Sequence, residues 1–252
     1  MSDWGPFDAA IRGWHAENCS IINNSISHTG TAIDLGYASN SIIHANNASG
    51  NSGDGIVVTY SDAVRITNNT ASNNDVIGFY FQNVNARILR NNTARYDSQE
   101  GIGYYMVRDC NLSENVVEFN GIGMWVDNTP SFTSLNNTFF ANTISSNKNQ
   151  GIYLYNSTDN SLRGNRVTNH TSGTGIFLTS GADFNYLAEN TVNASYYGIM
   201  VSGSNSNVLK NNNVSYSGTA GIVITSSANT TFARNNGTGN DYFLRLENSD
   251  NN

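Results

Sequence analysis

One short phrase recurs about every 23 residues through almost the whole chain, and this repeat constrains the fold more than any other feature. The phrase is Gly-Ile-x-Leu, followed a few residues later by Leu-x-x-Asn-x-Val. Its glycines are Gly55, Gly78, Gly101, Gly121, Gly151, Gly175, Gly198 and Gly221. Its asparagines, spaced 22 to 27 residues apart, are Asn24, Asn46, Asn69, Asn92, Asn115, Asn142, Asn165, Asn190, Asn212 and Asn235. A fixed period of this length indicates a solenoid.

Each repeat holds short apolar alternations separated by Asn, Ser, Thr and Gly, and this alternation is typical of strands. No stretch carries apolar residues at the spacing of an amphipathic helix. Strands this short cannot bury an apolar face alone, but coils stacked about 4.8 Å apart share one continuous core. The sequence therefore predicts an all-β fold, a single-stranded parallel β-helix of about ten coils of 22–24 residues.

Within the phrase, the Ile and Leu positions should point inward and x should point outward. The predicted inward stack is Ile33, Ile56, Phe79, Ile102, Ile122, Ile152, Ile176, Ile199 and Ile222. We expect the preceding Gly either to adopt a positive φ or to let the backbone pass close to a neighbour. The recurrent Asn can pass side-chain amide hydrogen bonds from coil to coil.

This repeat resembles the right-handed parallel β-helix repeats of the NosD-like family, and more distantly those of pectate lyases and mannuronan epimerases. The resemblance runs from about Ala32 to Leu246, with a looser first coil from Ile11 to Ile26. It implies a right-handed β-helix. Repeats of this kind occur in enzymes, in periplasmic accessory proteins and in cell-surface proteins, so the resemblance leaves the function open.

A single repeating pattern over 252 residues predicts one continuous domain. We expect residues 1–30 to form the first coil, with Trp4, Phe7 and Trp14 as a cap, and residues 31–252 to form the repeats. No comparable cap follows the last coil, so we expect the chain to be a segment of a longer secreted protein. Cys19 and Cys110 occupy the same repeat position four coils apart, too far for an internal disulfide.

The charge and hydropathy patterns exclude two classes of partner. The net charge is −7, and the 12 Lys and Arg residues are scattered, so we expect no nucleic-acid partner. No run of 18 apolar residues exists, so we expect no membrane span. The four histidines show no metal-ligand spacing, and we expect neither a metal site nor a cofactor.

The outward positions of the Gly-Ile strands are unusually apolar in the central coils. They are Tyr80, Tyr105, Trp125, Tyr153, Tyr155, Phe177 and Met200. Stacked coils would align these side chains along the axis, and an exposed aromatic strip of this kind marks an interface. Sugars stack their C–H faces on such rings, which predicts a polysaccharide site. The alternative is a packing surface for another domain, a long loop or a neighbouring chain.

Carboxylates gather near the corner before the Gly, as paired acids would in a polysaccharide-processing enzyme. If the protein is an enzyme, we predict Asp97, Glu100 and Asp127 as its acid and base groups. Arg95 and Arg108 would then bind an acidic sugar. The extra segment at 127–133 could form one wall of the cleft or be a tolerated insertion.

Two functions follow from these patterns. The first is an extracellular or cell-surface domain that binds or processes a polysaccharide, as a hydrolase, lyase or C5-epimerase. The second is a structural cell-surface or sheath module, without chemistry, whose aromatic strip packs on another chain or domain. Other domains of a longer chain, or neighbouring copies, are possible partners in either case.

Overall fold

The structure, a computed structural model, describes residues 9–85, 87–128 and 135–250. Its regular elements in these ranges are 30 short strands. In chain order they are β1 (Ala9–Trp14), β2 (Ser20–Ile22), β3 (Ser25–Ile26), β4 (Thr31–Gly36), β5 (Ile42–His44), β6 (Asn47–Ala48), β7 (Ile56–Thr59), β8 (Arg65–Thr67), β9 (Thr70–Ser72), β10 (Phe79–Asn85), β11 (Ile88–Arg90), β12 (Thr93–Arg95), β13 (Glu100–Arg108), β14 (Asn111–Ser113), β15 (Val116–Glu118), β16 (Ile122–Asp127), β17 (Thr138–Phe140), β18 (Thr143–Ser145), β19 (Ile152–Tyr155), β20 (Ser161–Arg163), β21 (Arg166–Thr168), β22 (Thr174–Thr179), β23 (Tyr186–Ala188), β24 (Thr191–Asn193), β25 (Tyr197–Ser202), β26 (Val208–Lys210), β27 (Asn213–Ser215), β28 (Ala220–Thr225), β29 (Thr231–Ala233) and β30 (Tyr242–Glu247).

These strands form three parallel sheets that run the length of the stack. Sheet A has eleven strands in the order β1-β4-β7-β10-β13-β16-β19-β22-β25-β28-β30. Sheet B has ten, β2-β5-β8-β11-β14-β17-β20-β23-β26-β29, and sheet C has nine, from β3 to β27. Successive strands of each sheet are one coil apart in sequence, so the predicted parallel β-helix is confirmed. None of the described residues form a helix long and apolar enough to cross a membrane.

The inward stack of the Gly-Ile strands is confirmed in every coil but one. Ile33, Ile56 and Ile152 are completely buried, and each pairs in register with its counterpart in the next coil. The prediction for Ile122 is wrong: Ile102 pairs with Met124, and Ile122 pairs with Glu100. That coil contains two overlapping phrases, Gly121-Ile122 and Gly123-Met124. The insertion that follows hides from the sequence that the second one is in register with the neighbouring coils.

The glycine of each phrase is required for close approach, not for a left-handed backbone. None of the phrase glycines has a positive φ. A Cβ on Gly198 would lie 2.2 Å from a methyl group of Val214 and 2.4 Å from the carbonyl oxygen of Gly221. The expectation of a positive φ is therefore wrong, and that of close backbone approach is confirmed.

The recurrent asparagines form a continuous ladder at the corner between sheets B and C, which we call the asparagine ladder. Each side-chain Nδ2 donates to Oδ1 of the asparagine in the next coil, over 2.9–3.1 Å, from Asn24 to Asn235. The backbone N–H of each also donates to that same oxygen, as for Asn92 and Asn115 at 3.0 Å. The ladder therefore satisfies buried polar groups that the tight corner would otherwise leave unpaired.

The other two corners carry shorter ladders in which some coils substitute a different residue. Between sheets C and A, one ladder passes through Asn51, Asn74, Asp97, Asn120, Asn147 and His170. Between sheets A and B, Asn137, Asn160 and Asn185 are linked in the same way. The free cysteines Cys19 and Cys110 lie on this second corner in earlier coils.

Arg87 occupies the same corner position and is fully buried. Its guanidinium carbon lies 4.1 Å from the centre of the Phe81 ring, a cation–π contact inside the core. Burial lowers the pKa of Arg87. This cation belongs to the interior of the stack.

Replacing a central member of the asparagine ladder should weaken folding strongly. Asn115 accepts hydrogen bonds from Asn92 and donates to the carbonyl oxygen of Leu89 at 2.9 Å, so Asn115→Ala leaves buried polar groups unpaired. We expect the free energy of unfolding to fall by about 2–4 kcal/mol. Chemical denaturation measures the free energy of unfolding. The control is Asn111→Ala on the exposed face of sheet B, which we expect to change the free energy of unfolding by less than about 0.5 kcal/mol. Equal losses in the two variants would contradict the role of the ladder.

Candidate functional site

Five aromatic rings stack along the outer face of sheet A, and we call this row the ring ladder. The ring centres are 5.2 Å apart for Tyr80 and Tyr105, 5.9 Å for Tyr105 and Trp125, 5.8 Å for Trp125 and Tyr153, and 5.3 Å for Tyr153 and Phe177. All five side chains are half-buried. The strands beneath them are in register, so the rings follow the axis of the β-helix.

Tyr105 joins the ring ladder from a neighbouring position. The residue in register with Tyr80 and Trp125 is Gly103, and Tyr105 is in register with Gln82 instead. A Cβ on Gly103 would lie 3.1 Å from Cε2 of Tyr105, so the tyrosine ring leans over the space that the glycine leaves. The glycine thus allows the row of rings to stay continuous across this coil.

The two remaining members of the predicted strip lie at the margin of the ring ladder. Tyr155 is exposed and meets Tyr153 edge-on, with ring centres 6.4 Å apart. Met200 is in register with Phe177 and extends the row by one apolar side chain. The structure therefore brings all seven predicted strip residues to one face.

Three carboxylates border the ring ladder: Asp54, Glu100 and Asp127. Burial raises the pKa of Tyr80, and the charges of Asp54, Tyr60 and Glu100 raise it further. Burial likewise raises the pKa of Tyr105 well above its ordinary value, with Glu100 and Asp127 among the charges that add to it. The carboxylates are therefore close enough to the rings to act on them electrostatically.

Partial burial also raises the pKa of each of these three carboxyls. For Asp54, desolvation outweighs the hydrogen bond that its Oδ1 accepts from the backbone N–H of Ile77 at 3.0 Å. For Glu100, desolvation is the main cause and the charge of Asp54 contributes. For Asp127, desolvation outweighs the 2.6 Å hydrogen bond from the Asn128 backbone. A group of this kind holds its proton to higher pH than a free carboxyl does.

The carboxylates lie on opposite sides of the ring ladder and do not converge on one point. Asp127 lies five residues further along its strand than Ile122, the partner of Glu100. That offset corresponds to about 17 Å between the Cα atoms of Glu100 and Asp127, at 3.3 Å per residue. Asp54 and Glu100 lie on the same side, two coils apart, or about 10 Å at the strand spacing.

Asp127 lines a small cavity of about 110 Å³ at the edge of the ring ladder, together with Gln82, Tyr105, Met106 and Asn128. The predicted wall at 127–133 begins here. Residues 129–134 lie outside the described part of the chain, so only its first two residues are placed. The cavity offers carboxylate and amide oxygens beside an aromatic ring.

Asp97, predicted as an acid or base, lies inside the corner between sheets C and A and is only 2% exposed. Its Oδ1 accepts hydrogen bonds from the backbone and side-chain nitrogens of Asn74 at 2.9 and 3.0 Å. Its Oδ2, which has no partner, takes the place of the amide nitrogen of the asparagines in this ladder. Asn120 holds the same position in the next coil, and its Nδ2 donates to two acceptors, the carbonyl oxygen of Ala94 and Oδ1 of Asn147.

A carboxylate cannot donate as an amide does, but a protonated carboxyl can. Burial raises the pKa of Asp97 to about 8, against the hydrogen bonds from Asn74 that lower it. The protonated side chain then resembles asparagine in both shape and hydrogen bonding. The structure thus gives Asp97 a place in the ladder and not on the outer face of sheet A.

The predicted arginines also lie apart from the ring ladder. Arg95 is in β12 of sheet C, where its Nε is 3.0 Å from Oε2 of Glu118. Arg108 ends β13 beyond Met106, whose φ of 56° turns the chain toward sheet B. It lines a cavity of about 240 Å³ with Asn83, Asn85 and Met106. The structure does not bring either cation over the rings.

The histidines play local roles. Nδ1 of His44 is 2.8 Å from the hydroxyl of Thr67. Burial lowers the pKa of His170 to about 4, so the ring is neutral at pH 7 and its Nε2 can accept from Asn147 at 3.3 Å. Among the described residues, no group of three or more His, Cys, Asp or Glu side chains could hold a metal ion.

Sequence reasoning missed two features of this face. Asp54 was not assigned to the site, although its charge acts on Tyr80. Gly103, the outward-pointing x residue of its phrase, was not assigned to the site, although it makes room for Tyr105. The role of Gly103 could have been recognised from the sequence. It is the one glycine among the equivalent positions of the central coils, which otherwise carry Tyr80, Trp125, Tyr153 and Phe177.

Asp97→Asn should stabilise the protein in a way that depends on pH. The unfolded chain loses this proton near the ordinary value of 3.8, whereas the folded protein keeps it to about pH 8. The contribution of Asp97 to stability is therefore complete below pH 4 and falls as the pH rises to 8. We expect the variant and the original protein to have similar stability at pH 4, and the variant to gain at most about 1.4 kcal/mol per pH unit above it.

Urea denaturation at a series of pH values between 4 and 9 measures this difference. Asp75→Asn, which removes an exposed carboxylate on the same corner, is the control and should show little pH dependence. A gain in the Asp97 variant that is equal at every pH would show that Asp97 is ionised in the folded state.

Comparison with known families agrees with the geometry. A family model described as a right handed beta helix region matches residues 9–167, and one described as a periplasmic copper-binding protein (NosD) matches residues 134–252. These matches confirm the predicted resemblance to NosD-like repeats. No curated protein matches the chain in sequence.

Several solved structures are similar in fold at low sequence identity. The A-module of a mannuronan C-5 epimerase from Azotobacter vinelandii has a TM-score of 0.80 at 14% identity, over 98% of this chain and 78% of that one. An alginate lyase from Paenibacillus sp. has a TM-score of 0.71 at 13% identity, over 97% and 94%. The enzymatically active domain of tailspike protein 2 from bacteriophage CBA120 has a TM-score of 0.69 at 9% identity, over 88% and 42%. At these identities the similarity shows a shared fold alone.

Proposed function

The chain belongs to the family of right-handed β-helix regions, and on that premise we propose that it is an extracellular or cell-surface domain that binds a polysaccharide along the ring ladder. The observation that carries this proposal is the unbroken row of five rings on the outer face of sheet A. A row of this length fits a chain of sugars laid along the axis better than it fits a compact ligand.

The polar groups beside the rings support the same function. Trp125 Nε1 is buried and has no hydrogen-bond partner, and neither does Glu100 Oε2. One is a donor and the other is an acceptor, so a rotation that brings either atom to the surface would suit hydroxyl groups, which both accept and donate. Carbohydrate sites combine aromatic faces with a few such groups that fix orientation.

The names of the structural neighbours add weight to a polysaccharide ligand. Two of the bacterial neighbours are a mannuronan epimerase and an alginate lyase, named for polymers of uronic acids, and at 13–14% identity they support a polysaccharide ligand without fixing its charge. The periplasmic location in the description of the NosD model supports a place outside the cytoplasm. The placement of the acids favours binding over two-carboxylate catalysis by Glu100 and Asp127, since the side chains are too short to close an offset of about 17 Å between Cα atoms to the carboxyl separations of about 5–9.5 Å in glycosidases.

Removing the central ring should weaken polysaccharide binding. Trp125 touches both Tyr105 and Tyr153, so Trp125→Ala interrupts the ring ladder at its middle. We expect the dissociation constant to rise at least about 10-fold, or 1.4 kcal/mol. A glycan array identifies the polymer, and calorimetry or affinity electrophoresis gives the constant.

Tyr186→Ala, which removes an aromatic ring from sheet B, is the matched control and should leave binding unchanged. If no glycan binds the original protein, the proposal fails. That result would support the alternative function, a structural cell-surface or sheath module whose aromatic strip packs on another chain or domain.

One observation favours a second candidate function, hydrolysis of the bound polysaccharide. Asp54 and Glu100 lie on one side of the ring ladder, two coils or about 10 Å apart between Cα atoms, a spacing from which two side chains can bring their carboxyl groups to the separation of about 6.5–9.5 Å used by inverting glycosidases. Both carboxyls have a raised pKa, and the charge of Asp54 is among the causes for Glu100. Glu100 would donate a proton to the leaving oxygen while Asp54 activates water.

Under this candidate, Glu100→Gln should abolish the release of reducing ends from a bound polymer while leaving its dissociation constant within about 3-fold. The amide keeps the shape of the side chain and loses the proton that the reaction needs. Glu114→Gln, in the turn that follows β14 of sheet B, is the control. Fragments that carry an unsaturated sugar at the non-reducing end, or no release of fragments by the original protein, would exclude hydrolysis and leave the binding function intact.

A further inference from the structure

The charges on the outer face of sheet A are distributed unevenly along the stack. At the first coils Arg12 lies 3.4 Å from Asp34, and at the last strand Arg245 pairs with Glu247. Between these two ion pairs, the described outer face carries the carboxylates of Asp54, Glu100 and Asp127 and no cation on the ring ladder itself.

The cations closest to the ring ladder along the chain lie beside it and not in the row of rings. Arg108 is the last residue of β13, three residues beyond Tyr105 and past the turn at Met106. Lys148 lies at the opposite corner, with Ser146, Asn147 and Asn169 around a separate surface cavity. A negatively charged polymer on the ring ladder would therefore meet three carboxylates and gain no direct ion pair.

From this distribution we infer that the polysaccharide is neutral, built of sugars without carboxylate or sulfate groups. The inference rests on the proposed function and names its substrate class. A polymer of uronic acids carries a negative charge on every sugar, and like charges brought together at an interface oppose binding. The carboxyls here are also partly desolvated, which strengthens their repulsion of a further anion.

The same groups favour a neutral sugar. Its hydroxyls donate to carboxylate oxygens, and charge-assisted hydrogen bonds of this kind are among the stronger ones. Glu100 Oε2 is an acceptor without a partner, on a side chain that is only 5% exposed, and Trp125 Nε1 is a donor without a partner. Both atoms are closed to solvent as the side chains lie; once either side chain rotates outward a hydroxyl can satisfy it, whereas a carboxylate can accept from Trp125 but repels Glu100.

Matched polymers test the inference directly. Soluble β-1,4-glucan, β-1,4-mannan and β-1,4-galactan are each compared with a C6-oxidised derivative, which keeps the backbone and adds a carboxylate to each sugar. Binding of the whole chain is measured at pH 7.5 in low salt. We expect at least one neutral polymer to bind and its oxidised form to bind at least 10-fold more weakly, with the gap narrowing as salt screens the charges.

Variants that remove charges distinguish the effect of the carboxylates beside the rings from the effect of the protein's net charge. The triple variant Asp54→Asn, Glu100→Gln, Asp127→Asn should reduce the discrimination between neutral and oxidised forms to within about 3-fold. The control triple Glu17→Gln, Asp159→Asn, Asp241→Asn removes the same number of exposed charges elsewhere and should keep the discrimination. Thermal unfolding checks that both variants are folded.

The outcomes distinguish the two proposals. Tighter binding of an oxidised polymer than of its neutral parent overturns the inference of a neutral ligand and leaves polysaccharide binding standing. Equal discrimination in the two triple variants also overturns the inference, because the carboxylates beside the rings would then not be its cause. If no polymer of either kind binds, both proposals fail.

Discussion

The hydrogen bond between the side-chain amides of successive coils is the interaction on which the rest of the structure depends. Each buried asparagine in the ladder accepts from the coil before it and donates to the coil after it, so no member leaves a polar group unpaired in the interior. This arrangement also allows only one vertical alignment of neighbouring coils. With that alignment set, the isoleucines superimpose inside and the outward side chains superimpose outside.

The ring ladder is an external consequence of the same alignment. Strands spaced about 4.8 Å apart place side chains of equivalent positions at nearly the distance at which aromatic rings pack. The observed spacings of 5.2–5.9 Å fit that expectation. A surface suited to a long, repetitive ligand thus arises from a long, repetitive scaffold, and the carboxylates beside it give the surface its chemical preference.

The repeat allowed the fold, the ladder and the outward aromatic strip to be predicted, because each follows from period and alternation. Individual residues near the corners could not be assigned in the same way. Ile122 was assigned inward when Met124 holds that place, since the insertion hid the register of one coil. Asp97 was predicted as an acid or base group, because the asparagine column that it interrupts between sheets C and A is recognised only once the corner geometry is known. Arg95 lies close to Glu100 in sequence, but a corner places it on another sheet.

The direction of the amide hydrogen bonds has a consequence for how such a molecule can change in length. Because every rung presents an acceptor on one side and a donor on the other, a duplicated coil inserted between two existing ones would close its own bonds with both neighbours. Growth by tandem duplication therefore needs no compensating change in the interior. The length of the surface available to a longer glycan is then adjusted in whole steps, one strand spacing of about 4.8 Å for each added coil.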